Sequence, residues 1–179
     1  MTILSLVSVS YQTIKLPFIS LKIFSDDRAI AEMRQVSPEA VSFPIYIHDA
    51  FNMDQYSGYV SKRQDFVVED HHSYFVFTPD DASRNATEDA NVVRTSVLDQ
   101  LASDDQVGHN LIVGEWSCAL MPESLANMTD PILARQQFCE GQMQVYANTT
   151  SGWHFWSEFK PCAHSSIYLI DNLLSVKII

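Results

Sequence analysis

The sequence predicts an α/β fold built on a parallel sheet, and three observations lead there. Four short apolar or aromatic runs each end in a polar or aromatic tip: Phe43–Ile47, Phe66–Val68, Leu111–Val113 and Gly152–Trp156. Segments of helical periodicity separate them, and strands alternating with helices are the pattern of a parallel sheet. The tips recur at long intervals, 43 residues from His72 to Glu115 and 41 from Glu115 to Trp156, which suits strand–helix units with long loops.

The elements follow in order. Residues 1 to about 24 are apolar and irregular around Pro17 and are left unassigned. Ser25 or Asp26 caps a helix carrying Ile30, Met33 and Arg34, and Ser37-Pro38 stops it. Phe43 to Ile47 reads as a buried strand ending in His48-Asp49, and Asn52 to Lys62 as a polar, aromatic loop or short helix. Phe66-Val67-Val68 is the second strand, ending in Glu69-Asp70-His71-His72-Ser73-Tyr74, with a loop through Pro79-Asp80-Asp81 behind it. Asp89 to Leu101 places Val92, Val93, Val97, Leu98 and Leu101 at helical spacing. Leu111 to Val113 is the third strand, tipped by Gly114-Glu115-Trp116-Ser117. Pro131 to Tyr146 reads as a helix with Ile132, Leu133, Phe138, Met143 and Tyr146 as core candidates. The aromatic strand Gly152 to Trp156 follows, and Ile167 to Leu174 is expected to form a terminal helix.

Composition narrows the function classes. The chain has 179 residues, enough for one domain with a real core. Its 22 Asp and Glu against 11 Lys and Arg give a net charge of −11, which repels nucleic-acid backbones and anionic membrane surfaces. A neutral ligand such as a sugar is compatible with that charge. No apolar run approaches the length of a membrane span. Three cysteines, Cys118, Cys139 and Cys162, have no metal-ligand spacing, and their odd number leaves at least one unpaired within the chain. Three glycosylation acceptors, Asn85, Asn127 and Asn148, point to the secretory pathway, where disulfides form. The stretch Ile3 to Val9 lacks the basic flank and the cleavage site of a signal peptide.

The strand tips carry the candidate chemistry. Parallel neighbours bring their C-terminal ends together, so His48, Asp49, His71, His72, Tyr74, Glu115 and Trp156 are candidates for one pocket. A carboxylate among imidazole, phenol and indole suits sugar chemistry, since aromatic faces bind the apolar side of a pyranose and polar tips bind its hydroxyls. A metal site drawn from His48, Asp49, His71, His72 and Glu115 is the competing reading. Adjacent His71 and His72 point to opposite faces of a strand, so only one of them faces the pocket. Ser117 lacks a nucleophile elbow, and Cys118 reads as structural. His109 and His164 fall in loops. His154 alternates with Trp153 and Phe155, which places it toward the helical layer.

Four motifs in order, IYIHDAF (45–51), FVVEDHHSYFVF (66–77), LIVGEWSCAL (111–120) and GWHFW (152–156), resemble fungal exo-1,3-β-glucanases of glycoside hydrolase family 5. The resemblance covers about residues 25 to 165 and corresponds to strands five to eight of that family's (β/α)8 barrel. It implies a partial TIM barrel over 25–179, the C-terminal half. Four units cannot close an eight-stranded barrel, which usually takes about 250 residues.

Carried over by position, Glu115 matches the family's nucleophile, and His72 and Tyr74 match residues that flank and orient it. Trp156 matches a sugar-stacking tryptophan, and His48 and Asp49 lie at the end of strand five as substrate-binding candidates. The implied reaction is retaining hydrolysis of β-1,3-glucan without cofactor or metal, in an extracellular or cell-wall protein. Tyr74 is expected to hydrogen-bond Glu115 and favour its ionised form. The family's general acid lies in an Asn-Glu-Pro motif, and that tripeptide is absent here. The expectation is therefore a nucleophile-bearing half that is inactive alone. The alternative is a non-catalytic carbohydrate-binding fragment, or one that completes a barrel with a missing N-terminal half.

Overall fold

The computed structural model describes residues 20–108 and 110–156; the expected terminal helix, Cys162, His109 and His164 lie outside them. The fold is α/β, with a four-stranded parallel sheet in the order β1-β2-β3-β4. The strands are β1 (Ile45–His48), β2 (Val67–Ser73), β3 (Leu111–Trp116) and β4 (Trp153–Phe155). Helix α1 covers residues 20–34, and α2 is Met53–Val60. After β2 come α3 (Pro79–Ser83), α4 (Ala86–Val92), a π-helical turn at Val93–Val97 and α5 (Leu98–Gly108). Helices α6 (Pro122–Leu125) and α7 (Pro131–Thr149) connect β3 to β4. Contacts divide the chain into two compact units, one within Met1–His71 and Ser103–Ile112, the other within His72–Ala102 and Val113–Ile179.

In the first unit, β1 and β2 pair in parallel with Ile45 opposite Val67 and Ile47 opposite Glu69. The core gathers Ile30 of α1, Ile47 of β1, Tyr56 and Val60 of α2, and Val67 of β2. Helix α1 begins earlier than the Ser25 or Asp26 cap the sequence suggested, and both residues lie within it. Asp26 instead pairs with Lys22 one turn back and accepts the Tyr56 hydroxyl. The Arg34 guanidinium ends the helix by donating to the carbonyls of Ala40, Phe43 and Phe66, so it ties the α1–β1 connection to the start of β2.

In the second unit, the loop expected around Pro79 is helical. Thr78 caps α3 in a reciprocal capping box with Asp81, with Pro79 in the first turn. Asn85 caps α4 in the same way with Glu88, so this sequon asparagine is also a helix start. Helix α7 buries Ala134, Phe138, Gly141, Gln142, Val145 and Tyr146. Those positions form one stripe at three- and four-residue spacing. Ile132 and Leu133, expected in the core, fall off that stripe and are exposed. Cys118, after β3, is joined to Cys139 of α7 by a disulfide.

Candidate active site

Both strands that matter run further than their apolar runs. Strand β2 continues through the charged stretch to Ser73, and β3 continues through Gly114 and Glu115 to Trp116. His48, His71, His72 and Glu115 therefore sit on paired strands, which fixes them better than loops would, and Asp49, Tyr74 and Trp156 follow directly on strand ends.

In the second unit, a bulge presents Glu115. Val113 lies opposite Trp153 and Trp116 opposite Phe155, so β3 spends three residues where β4 spends two. The extra residue breaks the alternation. Trp116 thereby turns toward the helices and is buried, with its ring edge-on to Tyr146, Trp153 and Phe155 at 5.3, 5.4 and 4.9 Å. Glu115 remains part-exposed. A glycine inside a strand pattern is a bulge signal, so Gly114 could have revealed this from sequence.

Around Glu115 the expected neighbours assemble. The Tyr74 hydroxyl donates to Glu115 Oε1 at 2.5 Å. His72 Nδ1 lies 3.7 Å from Oε2, so phenol and imidazole address different oxygens of one carboxylate. Burial, together with the hydrogen bond to Glu115, pushes the Tyr74 phenol above its ordinary range, so at neutral pH it is the donor. Phe77 packs edge-on to Tyr74 at 5.5 Å while remaining exposed. The Trp156 amide donates to the Trp116 carbonyl at 2.8 Å, which anchors Trp156, itself 64% exposed, at the end of β3.

One expectation changes here. His154 is exposed, whereas Trp153 and Phe155 pack on Trp116. The alternation along β4 thus puts the aromatics, not the histidine, on the helix side. Trp116, to which the motif assigned no role, is a core residue.

The first unit holds the other candidates. Asp49 is fully buried; its Oδ2 lies 2.6 Å from His71 Nδ1, and its Oδ1 accepts the Phe51 amide at 2.8 Å. His48 Nδ1 accepts the Ala50 amide at 3.0 Å, and its ring meets Phe51 edge-on at 4.9 Å. These bonds hold Ala50 and Phe51 at φ 54° and 58°, a left-handed turn that non-glycine residues rarely adopt. Sequence reasoning did not single out Glu69. It is 1% exposed, its Oε1 finds no hydrogen-bond partner among the described residues, and burial with the charges of Asp49, Asp104 and Asp54 pushes it up to about 9. A carboxylate in mid-strand facing apolar Ile47 across the ladder was the available signal.

Among the described residues, no three His, Cys, Asp or Glu side chains are grouped as a metal ion requires. No helix among them is long and apolar enough to cross a membrane. The sequon residues Asn85, Asn127 and Asn148 are all exposed.

No family model matches the chain. It is 30% identical over 120 residues to glucan 1,3-beta-glucosidase 3 of Schizosaccharomyces pombe, covering 64% of the chain and 24% of that protein. It is 38% identical over 79 residues to glucan 1,3-beta-glucosidase of Yarrowia lipolytica, covering 42% of the chain and 18% of that protein. The chain thus spans about a quarter or less of the length of these relatives. Part of it is related to the fungal exo-1,3-β-glucanases.

Proposed function

We propose that this chain carries the nucleophile portion of a retaining β-1,3-glucan hydrolase of the glycoside hydrolase family 5 type, with 25–179 corresponding to strands five to eight of its barrel. The observation that carries this reading is the Tyr74–Glu115 hydrogen bond with His72 on the other carboxylate oxygen. A nucleophile must be ionised and aimed. A phenol that does not itself ionise at neutral pH supplies a donor to the carboxylate, and a hydrogen bond to the charged form favours it.

In the proposed reaction Glu115 attacks the anomeric carbon of the terminal glucose. The glycosidic oxygen leaves with a proton from a second carboxyl, and water then releases the sugar from Glu115. Exposed Trp156 offers an apolar face to a pyranose. His48 and Asp49 shape the β1–α2 turn, with exposed Phe51, edge-on to half-buried His48, as the portion open to a ligand. The Asn-Glu-Pro acid is not in these 179 residues. Leaving-group protonation commonly contributes about 10² to 10⁴ in rate, so the chain alone turns over glucan poorly. The Cys118–Cys139 disulfide and the three exposed sequons support a secreted, glycosylated protein.

A substrate whose leaving group needs no proton tests the nucleophile separately from the acid. The 179-residue chain incubated with 2-deoxy-2-fluoro-β-glucosyl fluoride is expected to gain one glycosyl adduct on Glu115, read by peptide mass spectrometry. A folded chain with no adduct there sinks the nucleophile assignment. Binding to insoluble β-1,3-glucan without any adduct would select the second reading, a carbohydrate-binding or barrel-completing fragment, which the exposure of Trp156 favours. Rapid glucose release from laminarin would overturn the expected inactivity.

A further inference from the structure

The residues directly behind the candidate site form a buried polar chain that the reaction scheme does not use. Ser73, just before Tyr74, sits on the helix side of β2. Its Oγ lies 2.8 Å from the Tyr146 hydroxyl. That hydroxyl is 3.0 Å from Gln142 Oε1, and Gln142 Nε2 donates to the Ser117 carbonyl at 3.0 Å. Tyr146 and Gln142 are both fully buried, and Ser73 nearly so.

One direction satisfies every group: Ser73 donates to Tyr146, Tyr146 to Gln142, and Gln142 to Ser117. Each bond in such a chain polarises the next, and loss of one leaves its neighbours buried without a partner. The ring of Tyr146 also lies edge-on to Trp116 at 5.3 Å. Tyr146 therefore touches the residue before Tyr74 and the residue after Glu115. The disulfide from Cys118 to Cys139 ties the same β3 exit to the same helix.

We propose that Tyr146 and Gln142 of α7 are positioning residues, a hydrogen-bonded fastener that holds β2 and β3 at the separation the Tyr74–Glu115 hydrogen bond requires. They touch neither substrate nor the reacting carboxylate; they act through the backbone at Ser73 and Ser117. The Tyr74–Glu115 hydrogen bond, like any, holds only over a narrow range of distance, so drift between β2 and β3 weakens it. A hydrophobic pair at 142 and 146 would fill the same space without setting that distance. The significance of the separation rests on the glycosidase reading given above.

The test is proton NMR of the 179-residue chain, with the Tyr74 hydroxyl resonance assigned by its loss in Tyr74→Phe. In Tyr146→Phe and in Ser73→Ala, exchange of that hydroxyl with solvent is expected to accelerate at least about fivefold, the change that weakening by one ordinary hydrogen bond produces. Backbone amides of α7, which report the general cost of the lost bond, are expected to accelerate less than the Tyr74 hydroxyl does. The rate of Glu115 labelling by the fluoroglucoside falls in the same variants while its concentration dependence is unchanged. Unchanged Tyr74 exchange in folded variants overturns the positioning role, and so does acceleration shared equally by all the amides, which would mark a merely structural bond. If Tyr146→Phe does not fold, Ser73→Ala decides, since it removes the same bond with a smaller change. Faster Tyr74 exchange in a chain whose Glu115 never labels would leave the fastener standing and remove the glycosidase reading.

Discussion

Replacing Glu69 with glutamine should change how the stability of the first unit depends on pH. Glu69 ionises near 4.5 in an unfolded chain, but burial and the charges of Asp49, Asp104 and Asp54 push it up to about 9 in the fold. A raised carboxyl stabilises the folded state fully below its unfolded pKa, and that contribution is lost as pH rises through the folded one. At about 1.4 kcal/mol per unit, the rise from pH 4.5 to 7 removes roughly 3 kcal/mol. Asp104 is raised by burial and by Asp54 and acts in the same direction; Asp65, held low chiefly by Arg63, acts in the opposite direction below its ordinary range. Wild type is thus expected to be most stable near pH 4 to 5. Glu69→Gln cannot ionise, so its slope flattens, and relative to wild type it gains roughly 3 kcal/mol between pH 4.5 and 7. An unpartnered amide in place of the acid costs about 1–3 kcal/mol at every pH, so the change with pH, rather than the absolute offset, is diagnostic. Urea unfolding followed by far-ultraviolet circular dichroism at pH 4.5, 5.5 and 7 measures it. Parallel pH profiles for the two proteins would refute the claim that Glu69 is buried as a neutral acid.

Three further outcomes are expected. Trp156→Ala should weaken binding to β-1,3-glucan at least about fivefold, in keeping with loss of an aromatic contact, and leave the melting temperature unchanged because the ring is exposed; pull-down and calorimetry check both. Cys118→Ser with Cys139→Ser should destabilise the oxidised protein by about 3 kcal/mol, as loss of a crosslink spanning 21 residues does, measured by urea unfolding with and without reductant. In a secretory host Asn85 should be glycosylated without loss of the α4 cap, because Oδ1 accepts the Thr87 and Glu88 amides while a glycan takes Nδ2; Asn85→Asp should then abolish the glycan at little change in stability, and Asn85→Ala should cost about 1 kcal/mol more.

The sheet and the set of strand-tip candidates were legible because they rest on local pattern, and the resemblance narrowed that set to Glu115, Tyr74 and His72. An apolar run stopped by glycine and a carboxylate, and alternation through His71, His72, Ser73 and Tyr74, fix which side chains share a face. The core stripe of α7 was misplaced at Ile132 and Leu133 for a physical reason. Those residues are apolar, but they occupy the first turn after the Asp130 cap, and the packed stripe begins at Ala134. Gln142 and Glu69 were illegible in the opposite sense. Both are polar residues in the interior, one chosen for a bond to the distant Ser117 and the other held as a neutral acid. Nothing in their immediate neighbours announces either role. The Thr78 and Asn85 caps were readable in principle, since Thr-Pro-Asp-Asp and Asn-Ala-Thr-Glu are capping-box patterns.

The disulfide bears on the timing of synthesis. Its two cysteines are 21 residues apart, and Cys162 lies 23 residues beyond Cys139. At about 5–20 residues per second, the second thiol follows the first by roughly one to four seconds, and the third comes later by a similar interval. In an oxidising compartment the pair Cys118 and Cys139 therefore meets before Cys162 can compete. Direction of synthesis therefore makes Cys118–Cys139, the pairing found in the fold, the first one open to the chain.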